Sequence, residues 1–213
     1  MLQAISRIFH ENQNRQMKKK WIVLIIVVVL LLIGYSSIKG TYNNMVQQDE
    51  GIGAAWAQVE NQYQRRSDLI PNLVNTVKGY ADFEQETLTG VIEARAKATS
   101  VTIDPSNLSP DAIANFEQAQ QGLSSALSRL LVTIERYPDL KASQQFQQLQ
   151  VQLEGTENRI SVERRNFNEQ VRSYNTYIRS FPKNLYANVF GFEQKGYFEA
   201  TAGAETVPEV SFD

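Results

Sequence analysis

The chain has 213 residues, 42% hydrophobic and 21% charged, a composition that excludes a disordered chain. It has no Cys, which excludes a disulfide framework, thiolate zinc, a Cys nucleophile and a Cys-anchored lipoprotein, and its single His (His10) argues against most His-based catalysis and metal sites. The net charge of −2 hides an asymmetry: residues 1–39 carry six Lys and Arg against Glu11 alone, whereas the rest carries 15 bases and 22 acids, without the basic stripe that nucleic acid would need.

Residues 1–20 form a short basic segment ending in Lys18-Lys19-Lys20. The 18 uncharged residues that follow, WIVLIIVVVLLLIGYSSI, would span about 27 Å as a helix, against about 30 Å for a hydrocarbon core. Trp21 and Tyr35 sit near the ends, where amphipathic rings favour the interface. The alternative is a cleaved signal peptide, but the basic region is long and no A-x-A site follows. Residues 21–38 therefore read as an uncleaved transmembrane anchor. The basic flank before it places the N-terminus in the cytoplasm and residues 40–213 outside.

Beyond the anchor the pattern is helical. A polar seam through Tyr42, Val46, Asp49, Gly53, Trp56, Glu60, Tyr63, Arg66 and Ile70 suggests a helix continuous with the span, kinked near Ser67 because Pro71 lacks an N–H. This helix resumes to Lys78; the alternative is a break at Pro71 with residues 72–99 as one helix. Asp82, with Gln85 at the capping-box position, starts a helix to about Thr99, followed by a turn-rich linker over 100–109. Ser109 caps the next helix and Pro110 takes its first turn. Ile113, Phe116, Gln120, Leu123, Leu127, Leu130 and Ile134 follow alternating spacings of 3 and 4. After Tyr137-Pro138 a last helix runs to Ser180, with Phe146, Leu149, Leu153, Thr156, Ile160, Glu163, Phe167, Val171, Tyr174 and Ile178 on its seam. Residues 183–213 lack helical period but carry six aromatic residues, which pack back as an extended strap or dock on a partner. The expected fold is all-α: a single transmembrane helix, then an elongated antiparallel four-helix bundle over 39–182, then the strap.

Chemistry is sparse. With its one His before the span, the chain has neither the Glu-x-x-His pairs of a di-metal bundle nor a Ser–His–Asp arrangement, and no phosphate-cradling glycine motif occurs. Carboxylate chemistry has acids available, but a narrow bundle offers few clefts. No cofactor, metal ligand set or small-molecule substrate is indicated. The unusual feature is a polar, charged seam in mid-helix on the two long helices: Glu60, Asn61, Arg65 and Arg66 on one, Glu157, Asn158, Arg159, Glu163 and Arg164 on the other. Glu60 and Glu163 fall on seam positions, where a carboxylate needs a partner such as Arg66 or Arg159. The seam reads as an interhelical ion-pair network or, second, as a polar groove for a peptide or headgroup.

Residues 41–98, in particular YQRRSDLIPNLVNTVKGY (63–80), together with LEGTENRISVERRNFNEQVRSYNTYIRSFP (153–182) and the aromatic tail, closely resemble the LemA family of bacterial membrane proteins, over about residues 18–213. Residues 1–17 depart from the family pattern, and Met17 is where such proteins usually start. The resemblance implies an N-terminal anchor followed by a four-helix bundle, with no established catalytic activity. It also implies relatives on magnetosome membranes and others tied to envelope stress or membrane shape. The expected role is a non-enzymatic scaffold of the bacterial inner membrane, its bundle on the periplasmic side. The alternatives are a self-assembling membrane-remodelling protein, acting as a homo-oligomer, and a carboxylate-based enzyme subunit.

Overall fold

The computed structural model describes the backbone of residues 2–79 and 84–199, and side chains from residue 20 onward within those ranges. Among the described residues there are helices and no strands: α1 (Leu2–Lys78), α2 (Gln85–Ser100), α3 (Pro110–Ile134), α4 (Pro138–Ala142), α5 (Gln144–Arg179) and α6 (Lys183–Phe190).

α1 is one helix of 77 residues, about 115 Å long. Its first half holds the apolar run: every side chain from Trp21 to Ile33 is exposed, as a helix meant for lipid must be. Helical residues continue through Pro71 to Lys78, so the alternative of a break at Pro71 is not realised. Proline frees the carbonyl four residues earlier, and here the Ser67 carbonyl accepts the Arg95 Nε–H of α2 at 3.0 Å. The expected α1 seam needs correction at alternate positions. Met45, Ile52 and Val59 are buried, whereas Val46, Gly53 and Glu60, one residue later in each case, are not. The observed phase turns the larger apolar member of each neighbouring pair inward and so buries more apolar area.

α2 begins at Gln85, with Glu84 in extended conformation before it; Asp82, the expected start, lies outside the described residues. α3 forms as its spacing dictates, with the Ser109 hydroxyl accepting the Ala112 N–H, Pro110 in the first turn, and all seven seam residues buried. The single helix expected over 138–180 is two. Ser143 is extended (φ −62°, ψ 127°); its N–H bonds the Leu140 carbonyl and its carbonyl accepts the Gln147 N–H, so one residue closes α4 and opens α5. The tail, expected to lack helical period, starts with a short helix. α6 follows the cis Phe181–Pro182 bond and ends at Gly191, whose φ of 76° lets the Phe192 N–H bond the Ala187 carbonyl.

α1 packs along α5, and α2 along α3, as two close pairs. Their interior divides into two cores. One gathers Met45, Ile52, Trp56, Val59 and Tyr63 of α1 with Ile113 and Phe116 of α3, Ile160 to Ile178 of α5, and Phe198. The other gathers Ile70 to Val77 of α1 with the apolar faces of α2 and α3, Leu140, Phe146 and Leu153. The first lies nearer the apolar run and is called proximal below; the second is distal. Between them sits a layer of polar side chains.

Candidate functional site

The layer is built around Arg66. It occupies the α1 position that Val59 holds one heptad earlier and Leu73 one heptad later, so the helix must bury it, and it is 1% exposed. A guanidinium taken out of water needs its donors satisfied. Arg66 Nη1 donates to Glu157 Oε1 of α5 at 2.5 Å and to Ser124 Oγ of α3 at 2.8 Å. Nη2 donates to Gln120 Oε1 at 2.8 Å and to the Gln120 carbonyl at 3.3 Å. The Gln120 amide in turn donates to the Ala98 carbonyl of α2 at 3.2 Å. The guanidinium also lies over the Tyr63 ring, 5.0 Å from its centroid. One side chain thus ties together α1, α3 and α5 directly and α2 through Gln120, while Arg95 joins α2 to the Ser67 carbonyl beside it.

A second ion pair closes the proximal side. Arg164 of α5 pairs with Glu117 of α3, donates to the Glu199 carbonyl at 2.9 Å, and stacks over Phe198 at 4.7 Å. Between the two pairs runs an open groove of about 410 Å³ lined by Tyr63, Arg66, Glu117, Gln120, Glu157 and Arg164. Burial pushes the Tyr63 hydroxyl above its ordinary pKa, with Arg164 and Arg66 pulling the other way.

Of the nine residues that the sequence singles out, Arg66 and Glu157 meet, and Arg164 joins the same groove. Glu60, Asn61, Arg65, Asn158 and Arg159 are exposed. The expected Arg pairing of Glu60 and Glu163 is replaced by another arrangement. Val59 takes the core place beside Glu60, and Glu163, half-buried, accepts from Asn166 at 3.1 Å. The charge that needed a partner is the arginine, and its partner is Glu157.

Sequence reasoning passed over Asn168 and Asn175. The Asn168 amide donates to the Phe198 carbonyl (2.8 Å) and accepts the Phe198 N–H (2.9 Å); Asn175 does the same with Lys195 at 2.9 and 3.0 Å. Two asparagines seven residues apart on a helix are about 10.5 Å apart, and three extended residues cover about 10 Å. The helix thereby offers an extended chain the pairing a strand edge would give. The i, i+7 asparagine pair in NFNEQVRSYN was the available signal. The strap also crosses the start of α3, where the Gly196 N–H bonds the Leu108 carbonyl at 2.9 Å. A Cβ on Gly196 would lie 2.7 Å from Pro110 Cα, so only glycine fits without a shift.

Chemically the layer offers paired charges, amides and one buried phenol. Among the described residues no group of three or more His, Cys, Asp or Glu side chains is placed to hold a metal ion.

An exposed apolar helical stretch long enough to cross a bilayer, continuous with a helical body cross-tied by buried polar groups, defines a membrane-associated all-helical protein. The LemA family model matches residues 55–212, and the chain belongs to the LemA family. It is 26% identical over 169 residues to Protein LemA of Metamycoplasma hominis, covering 79% of this chain and 74% of that protein. It is 24% identical over 186 residues to Magnetosome protein MamQ 2 of Paramagnetospirillum magneticum and 25% over 184 residues to Magnetosome protein MamQ of Magnetospirillum gryphiswaldense. Each of these matches covers 78% of this chain and 67% of the relative.

Proposed function

We propose that this chain is a non-enzymatic, membrane-anchored scaffold of the bacterial envelope that presents a rigid helical bundle to protein partners or lipid. The observation that carries this is the continuity of α1: one helix holds both the exposed apolar run and the Arg66 layer, so the body is coupled to the anchor without a hinge. α1, α2, α3 and α5 are read as an antiparallel four-helix bundle. Supporting this, Ser173 meets Gln48 while Glu157 meets Arg66, so residue numbers fall along α5 as they rise along α1. The lysines before the span support a cytoplasmic N-terminus with the bundle on the outer side of the inner membrane.

The test replaces residues 36–42 with a Gly/Ser linker in the full chain and follows photocrosslinks from the exposed distal residue Val151 in native membranes. The scaffold reading expects a defined set of crosslinked neighbours that is lost with the linker although anchoring and helicity persist. An unchanged set would remove rigid presentation. Sidedness is checked separately by Ser106→Cys and a membrane-impermeant maleimide on intact cells: labelling is expected without lysis, and labelling only after lysis would reverse the orientation.

Self-assembly on the membrane is the second reading, motivated by the exposed apolar side chains of Phe181, Leu185 and Val189, which a second copy could cover. It expects concentration-dependent oligomers and tubulated liposomes, and a strictly monomeric chain on undeformed liposomes would end it.

A further inference from the structure

The end of the molecule nearest the apolar run carries a second hydrophobic surface that α1 does not explain. Phe181 is 81% exposed, Leu185 54%, Val189 78% and Phe190 44%. Leu185 and Val189 are one turn apart and share a face of α6, while Ala187, two residues from each, is buried against the body. Clustered large side chains left in water at one end of a helical body mark a contact surface, unlike the isolated exposed Val132 and Val151 of α3 and α5.

The height of this surface identifies what covers it. Phe190 and Phe192 meet the Tyr42 ring edge-on, with centroids 5.0 and 5.7 Å away. Ser173 meets Gln48; α5 ends six residues later at Arg179, and six residues before Gln48 is Tyr42, so the end of α5, Phe181 and α6 are level with Tyr42. Tyr42 follows Ile38, the last residue of the apolar run, by four residues, about 6 Å along the helix. The headgroup region outside a hydrocarbon core is about 5–8 Å thick on each side. The segment from Arg179 to Phe192 contains no Asp or Glu and includes Arg179 and Lys183, a charge suited to a membrane surface, with Glu193 the first acid after it.

We propose that α6 and Phe181 form an interfacial membrane-docking element, lying in the headgroup region of the leaflet from which α1 emerges, with Phe181, Leu185 and Val189 entering lipid. The body is then held at two points, and its tilt against the bilayer is fixed. The proposal rests on residues 21–38 spanning a bilayer but not on which side the body occupies.

The full chain has no Cys, so single reporters are available at Val189, at Leu30 inside the span and at the exposed distal Val151. Each Cys variant carries an environment-sensitive nitrobenzoxadiazole label and is reconstituted into phosphatidylcholine vesicles containing a lipid with a nitroxide near its headgroup. The expected result is a blue-shifted Val189 label quenched several-fold more than the Val151 label, with the Leu30 label also in lipid. A Val189 label as wet and unquenched as Val151, with Leu30 in lipid, would overturn the docking element alone. A wet Leu30 label would remove the anchor and the docking element with it. A Val189 label that is dry but unquenched by lipid, and drier at higher protein-to-lipid ratio, would assign the face to a second copy and overturn the proposal.

Discussion

The two cores of this molecule solve one problem in different ways. The buried residues of the distal core are aliphatic apart from Phe146 and come from five helices, α1 to α5, most of them at regular helical spacing. The proximal core holds Trp56, Tyr63, Phe116, Phe167, Tyr174 and Phe198, with Trp56 edge-on to Phe116 at 5.1 Å and to Phe167 at 5.8 Å and stacked on Phe198 at 6.0 Å. α2 supplies no buried residue to it and α3 only Ile113 and Phe116 from its first turns. Large rings, and an extended strap fixed by asparagines, fill the space where a helix would otherwise lie. Where helices surround a core, periodic aliphatic residues suffice; where a non-periodic segment closes it, the fastening is made through backbone groups.

The largest expected effect strikes the layer between the cores. Arg66→Ala leaves Ser124 and the buried Gln120 without their donor and opens a cavity between the cores, whereas Glu157, 46% exposed, can turn to water; the expected cost is roughly 3–5 kcal/mol, measured by urea unfolding followed by circular dichroism. Arg66→Met fills much of the space that Ala leaves but restores none of the donors, so its loss should be smaller; an equal loss would mean that the lost polar contacts, and not the cavity, dominate.

The joint change Asn168→Ala and Asn175→Ala removes four bonds to the strap, an expected loss of about 2–4 kcal/mol. Hydrogen exchange should locate that loss in the proximal core, with α2 and the part of α3 from Leu123 onward keeping their protection; uniform loss would contradict the separation of the cores. Gly196→Ala forces Pro110 to give way and should cost about 1–3 kcal/mol in the same region, read as faster proteolysis of the strap.

Burial raises the pKa of both Tyr63 and Tyr174, and the carboxylates of Asp49 and Glu193 push that of Tyr174 further up. In the unfolded chain these phenols ionise near the ordinary value of 10.0, while the folded state keeps its protons. The unfolded state therefore binds fewer protons there, and stability should fall as pH rises through and above that value. A flat melting temperature across this range would place these rings in water. The smallest effect is a gain: Gly155 lies inside α5 with open space around its missing Cβ, so Gly155→Ala should stabilise by up to about 1 kcal/mol.

The distal region was the more legible in the sequence. α3 follows strict 3 and 4 spacings between a Ser-Pro start and the Tyr137-Pro138 stop, and its seam is read directly from the residue order. α1 was legible from Trp21 to Lys78 but not in phase, because Met45-Val46, Ile52-Gly53 and Val59-Glu60 each offer a candidate to the same seam and the choice depends on α5 across from it. Arg66 was visible as a seam residue, yet its partner was not, since sequence order cannot say which of Glu154, Glu157 and Glu163 on α5 is level with it. The break at Ser143 uses backbone bonds alone and no residue type that marks a stop. α6 is too short, at eight residues, for a periodic signal, and the strap is fixed by a close approach at Gly196 and by Asn168 and Asn175, features without hydrophobic period.

The central claim is that the anchor and the body share one unbroken helix. A double electron–electron resonance measurement tests it on the full chain in lipid nanodiscs, with spin labels on Leu30→Cys inside the span and Glu60→Cys in the body, both exposed. Thirty residues of continuous helix across the end of the span predict one narrow distance distribution centred near 45 Å between the labelled backbone positions. A broad distribution, or a second and shorter population, would mean a hinge in α1 and would contradict rigid presentation.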